Sequence, residues 1–339
     1  MEQKIEMLHY PKELQPYIFA PPRTPEDMYA QSTRNDQVTV DSWRGDWIRN
    51  YRQNQAFLGG FAKFSLGELH QAELHKPCIL VGSGPHLKRN AHLLKDVKGI
   101  PIISCLHNFH FLEDLGVKVD YYVSLDAGPV TIEEVSEGGD PSKDYWEMTK
   151  GKKLIAYAAS HPDLIAKWKG ELYVFNCPIP APDITQSLEE IEKFNVHVST
   201  GGNVLGACMY IAKAYLGCST TIFVGASFSF DNESHFHAWS SKYDDKLGSY
   251  IKVPDIFGYK VKTWQSYNNF CNWFNLISLQ VPGEYINCTE GGTLGAYAEG
   301  NLITIQQMDL KDCLSRFSMS EHTRQMCEDP ETNEVKILF

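Results

Sequence analysis

From Cys78 onward the chain alternates short apolar runs with helix-length amphipathic segments, and few folds accommodate that rhythm. The runs are Cys78 to Val81, Ile100 to Ser104, Tyr121 to Leu125, Leu154 to Ala158, Leu172 to Phe175 and Thr221 to Val224. Each is short, and most are rich in β-branched or aromatic residues, which suits buried strands. Between them lie Lys88 to Lys95, Phe109 to Leu115, Pro162 to Lys167 and Asn203 to Leu216, which read as helices. Strands that alternate with helices need right-handed crossovers, which give a mostly parallel sheet covered on both faces. The expectation is an α/β, doubly wound, Rossmann-like domain over 75–235.

The flanking segments differ in texture. Residues 1–74 form an appended N-terminal region, with Pro21, Pro22 and Pro25 breaking regular structure before a helix around Trp43 to Phe57. Residues 236–317 are aromatic and polar, with a helix from Ser266 to Leu279, and suit a lid or acceptor-binding subdomain. Residues 318–339 are charged and aperiodic, as in a loosely held tail. With 339 residues and 43% hydrophobic content, the chain can bury one large core with a smaller annex. The net charge of −11 disfavours duplex nucleic acid as a partner without excluding it. No stretch of some twenty apolar residues marks a membrane span, and the first residues carry no leader pattern, so the expected location is cytoplasmic. The nine cysteines include no Cys-x-x-Cys pair and read as buried free thiols.

Four clusters carry potential chemistry. Ile79 to Leu87 reads as a strand, a turn through Gly82, Ser83, Gly84 and Pro85, and a helix start. Glycines there tolerate positive φ and let backbone N–H groups approach an anion at the helix's positive end. The steric needs of a sharp turn account equally for the glycines. Asn108 ends the second strand segment and suits either base recognition or helix capping. Asp126 closes the third strand and could hold a sugar hydroxyl or Mg²⁺. Ser199, Thr200, Gly201 and Gly202 open an apolar helix, as a second anion-facing turn or a plain cap.

Taken in order, these segments resemble a superfamily of bacterial sialyltransferases, Maf-type motility accessory glycosyltransferases and MptE-like 6-hydroxymethylpterin diphosphokinases. Gly82-Ser83-Gly84-Pro85-His86-Leu87 is similar to the sialyltransferase turn Gly-Asn-Gly-Pro-Ser-Leu. Cys105 to Phe111 with Glu113-Asp114 and Leu115-Gly116, and Ser199-Thr200-Gly201 through Gly225, follow the next family elements. Gly116 to Asp126, Gly258 to Thr263 and Asn287 to Gly292 resemble motifs of the Maf-type branch. Ser83 and His86 depart from the sialyltransferase turn, so a cytidine-monophosphate donor does not follow.

The resemblance implies a transferase that takes a sugar from a nucleotide-sugar donor to an acceptor hydroxyl. The donor would be a substrate, with no tightly bound cofactor and no resident metal. The Gly82 turn, Asn108 and the Thr200 loop would hold it, with Tyr243 or Tyr250 steadying the departing phosphate. His237, slightly ahead of His235, would be the general base, since imidazole titrates near neutrality. Asp126 completes the catalytic candidates. The alternative is an ATP-dependent diphosphokinase using Mg²⁺, weakened because only Asp126 stands in the carboxylate motif. A noncatalytic nucleotide-binding module is the third reading, and assembly with further copies of the chain is compatible with all three.

Overall fold

The computed structural model describes residues 25–317, except 180, 234, 240–249 and 297–303. Tyr243 and the tail from 318 lie outside the described residues. An eight-stranded sheet has the order β10-β9-β6-β1-β2-β3-β4-β5. Its strands are β1 (Cys78–Val81), β2 (Ile102–Cys105), β3 (Tyr121–Ser124), β4 (Lys153–Tyr157), β5 (Glu171–Phe175), β6 (Thr220–Val224), β9 (Glu284–Asn287) and β10 (Ile305–Gln307). All seven pairings are parallel. Each apolar run read from the sequence is therefore a strand of one doubly wound α/β sheet. The separate hairpin β7 (Ile251–Pro254) and β8 (Lys260–Thr263) is antiparallel.

The helices are α1 (Pro25–Leu58), α2 (Leu87–Asn90), α3 (Phe109–Asp114), α4 (Val130–Glu134), α5 (Tyr145–Met148), α6 (Pro162–Lys167), α7 (Pro182–Ile191), α8 (Val204–Tyr210) and α9 (Gln265–Gln280). The period-two pleat divides the core. Cys78 and Leu80 join one cluster with Tyr51, Ile184, Leu205 and Phe274, while Ile79 and Val81 join the other with Leu87, Phe109 and Leu164. Both faces are thus covered, which is why the strands are apolar on both sides.

Two features depart from the sequence expectation. Pro25 starts α1 rather than breaking structure before it, because a proline at the first helical position forfeits only an amide that has no helical acceptor. The sheet also takes β9 and β10 from beyond residue 235. Among the described residues eight cysteines are free thiols, seven of them buried and Cys177 partly so. Among the described residues, no helix is long and apolar enough to cross a membrane.

The chain builds β1 to β5 outward in one direction and then returns to place β6 on the other side of β1. The strand order therefore reverses its direction between β1 and β6. A crevice opens there, at the carboxyl ends of the strands, where open α/β sheets bind ligands.

Candidate functional site

That crevice holds a cavity of about 400 Å³. Its walls are the loops after β1, β2, β3 and β6, the head of α8, and Tyr267 and Phe270 of α9. Of the residues singled out from sequence, Gly82, Ser83, Gly84, Asp126 and Gly202 line it.

The glycine wall is shaped by close backbone approach. Neither Gly82 nor Gly84 has positive φ. A Cβ on Gly82 would stand 2.8 Å from the Gly225 carbonyl oxygen, and one on Gly84 would stand 2.4 Å from Ser227 Oγ. Both N–H groups are already used, Gly82 donating to Val224 O and Gly84 to Gly225 O, each at 2.9 Å. These glycines weld β1 to β6, and their amides do not face the cavity as anion donors. The N–H of Ser83, between them, has no acceptor among the described residues.

At the head of α8, Gly201 and Gly202 both adopt left-handed φ, +57° and +81°. A side chain on Gly201 would collide with the Trp273 ring at 2.5 Å, which explains the paired glycines. Asn203 Oδ1 caps the helix by accepting from the Gly206 N–H at 2.9 Å. The N–H groups of Val204 and Leu205 precede the first helical acceptors, and both residues line the cavity.

The β3 side of the cavity carries charge. Asp126 is open to the cavity, but protein crowds its other sides and desolvation raises its pKa. Glu134 lies on the same wall, and burial, reinforced by the charges of Asp126 and Glu137, raises it from 4.5 to about 8. The sequence reading missed Glu134, since nothing in the order of residues announces that α4 folds back beside Asp126.

The two histidine candidates are placed elsewhere. His237 is not on the cavity wall; it stacks on Trp239 at 5.4 Å and sits 4.4 Å from the His107 ring. Burial, with the neighbouring His107, lowers His237 to about 3, well below the neutral titration on which its choice as base rested. His107 itself reaches the cavity, and burial lowers it to about 4. His235 is bound to Asp231, its Nδ1 3.0 Å from Oδ2, and Lys88 donates to the same carboxylate. Burial would raise Asp231, but these partners and the His235 N–H hold it at about 2.

The remaining candidates separate. Asn108 is buried off the wall, donating from Nδ2 to Val81 O and Ser104 Oγ at 3.1 Å, while its Oδ1 has no partner. It ties β1 to β2. Pro85 is buried behind the turn and Ser199 is exposed. Tyr250 immediately precedes β7, its ring 4.6 Å from Lys262 Nζ. Ser227 is a further cavity residue missed from sequence, its Oγ 2.9 Å from His86 Nδ1. Among the described residues no group of three or more His, Cys, Asp or Glu gathers to hold a metal ion.

Asp126 and Gly202 also line a second cavity of about 140 Å³. Trp43 and Trp47 of α1, Tyr157 at the end of β4, Cys177 and Thr200 form its other walls.

Comparison with known proteins places these observations. The family model for 6-hydroxymethylpterin diphosphokinase MptE-like proteins matches residues 47–233. Among solved structures, the Maf glycosyltransferase from Magnetospirillum magneticum AMB-1 is similar with a TM-score of 0.53 and 15% identity. The likeness covers 82% of this chain and 42% of that one, so the chain spans less than half of that protein's length. At that identity the likeness concerns the fold. No curated protein matches.

Proposed function

The chain belongs to the MptE-like family, and from that premise we propose that it transfers a glycosyl group from a nucleotide-sugar donor, seated in the 400 Å³ cavity, to an acceptor hydroxyl. The observation that carries this reading is the polarity of the cavity. Ser83, Val204 and Leu205, whose amides have no backbone acceptor among the described residues, line it together with a carboxylate pair of raised pKa.

The amides suit a phosphate, which loses its hydration on entering the cavity and needs donors there. Tyr267 and Phe270 supply aromatic surface for a base. Asp126 then serves as the general base. It takes the acceptor's hydroxyl proton while the acceptor oxygen bonds to the donor's anomeric carbon. The bond from that carbon to the phosphate oxygen breaks, and its electron pair leaves on the phosphate, facing the α8 head. A carboxylate with raised pKa is a stronger base than an exposed one, and Glu134 beside it favours retention of the proton once taken. His107, backed by His237, closes the wall as a neutral hydrogen-bonding group.

The same two carboxylates favour a second reading. Asp126 and Glu134 are oxygen ligands of the kind that hold Mg²⁺, which would neutralise a transferring pyrophosphoryl group in an ATP-dependent diphosphokinase. One experiment separates the two. The full chain is incubated with a panel of nucleotide sugars and ATP, with Mg²⁺ or EDTA, and donor breakdown is followed by mass spectrometry. Consumption of a nucleotide sugar in EDTA is expected. Consumption of ATP alone, and only with Mg²⁺, would replace glycosyl transfer by the second reading, and saturable binding without turnover would favour a nucleotide-binding module.

A further inference from the structure

The 140 Å³ cavity shares Leu125, Asp126 and Gly202 with the larger one, so a group bound in it meets the same carboxylate from the other side. It is well below the size usual for a drug-sized ligand and fits one small ring. Its walls are of two kinds. Trp43 and Trp47 present indole surface, and Trp43 lies so close to Gly128 that a Cβ there would be 2.7 Å from the ring. Tyr157, Thr200 and Asp126 present oxygen.

Tyr157 supplies the decisive detail. Tyr157 is 2% exposed, yet its hydroxyl has no hydrogen-bond partner among the described residues. A buried phenol normally finds one, because leaving it unmade costs about 1–3 kcal/mol. Tyr157 is one of the residues lining this cavity, so a group that enters it can supply the partner the phenol lacks.

We propose that this smaller cavity is the acceptor subsite and that it takes a single sugar ring. The ring's C–H face lies on the tryptophans, one of its hydroxyls pairs with Tyr157, and the reacting hydroxyl reaches Asp126. A sugar matches because it combines an apolar face with a rim of hydroxyls, as the walls combine indole with oxygen. The assignment rests on glycosyl transfer in the larger cavity, with Asp126 as the shared proton acceptor.

The test uses the full chain and two separate sets of probes. Methyl glycosides of glucose, galactose and N-acetylglucosamine are titrated by saturation-transfer NMR, with and without saturating nucleotide. CMP, UDP, GDP and ATP are titrated by calorimetry. At least one glycoside binds the wild type; Trp47→Ala weakens it about tenfold or more, and Tyr157→Phe, which removes one hydrogen bond and opens no cavity, weakens it about fivefold. Nucleotide affinity persists in both variants. Glycoside binding unchanged by Tyr157→Phe, or no glycoside binding beside normal nucleotide binding, overturns the sugar subsite. Glycoside binding that responds to both variants, with no nucleotide bound, overturns the transfer reading and leaves the sugar site standing.

Discussion

The two walls of the large cavity are made differently. On the β1 and β6 side, Gly82, Gly84 and Gly225 bring backbone against backbone, and most of the polar groups are paired with each other. On the β3 side, Asp126 and Glu134 project ionisable side chains with no compensating cation among the described residues, and desolvation raises both above their ordinary pKa. The first wall is a surface fixed by sterics. The second is a surface poised for proton chemistry and held at some cost in stability, as strained or desolvated groups at functional sites often are. Substitutions on the first should act on folding and affinity together, and substitutions on the second on turnover and pH dependence.

Gly84→Ala is the harshest way to break that contrast. Its Cβ would lie 2.6 Å from the Gly225 carbonyl oxygen as well as against Ser227, so β1 and β6 must separate. Urea denaturation should show a loss of about 3 kcal/mol, with nucleotide affinity falling in the same variant. Glu134→Gln should do the opposite. The folded carboxyl titrates near 8 and the unfolded one near 4.5, so between those values the folded state binds more protons and stability falls as pH rises. Removing the charge should therefore stabilise the protein by about 2 kcal/mol at pH 9 and by little at pH 4, which paired melts at the two pH values would read.

Smaller effects sharpen the boundary between the walls. His237, held at about 3 by burial, stays neutral from pH 5 to 8. His237→Gln should leave the pH profile of turnover without a displaced inflection in that range. An inflection near 6.5 that vanishes in the variant would restore His237 as the base. His235→Asn removes one of the hydrogen-bond partners of the largely covered Asp231, which keeps Lys88, and should cost about 1 kcal/mol in denaturant melts.

These contrasts also explain what was legible in the sequence. Strands β1 to β6 announce themselves because residues buried on both faces must be apolar throughout. β10 is only Ile305, Gln306 and Gln307, with the glutamines exposed, and a strand so short and polar has no periodic signal. Gly82, Gly84, Gly201 and Gly202 were visible as constrained positions, but their reasons differ. The first pair makes room for β6 and the second pair takes left-handed φ, and only three-dimensional neighbours distinguish those demands. Asp126 was legible at a strand end. Glu134, Ser227 and Tyr157 were not, because each acquires its role from a partner or an opening distant in sequence. His237 looked like a base by residue type, and its burial behind His107 changed the chemistry available to it.

If one wall holds the nucleotide and the other removes the acceptor's proton, binding and turnover separate at Asp126. Asp126→Asn tests it in one protein, with nucleotide affinity by calorimetry and donor turnover by mass spectrometry measured side by side. Unimpaired binding is expected, with turnover reduced by about a hundredfold or more. Turnover that survives in the variant, or is lost only in step with nucleotide affinity, would contradict it.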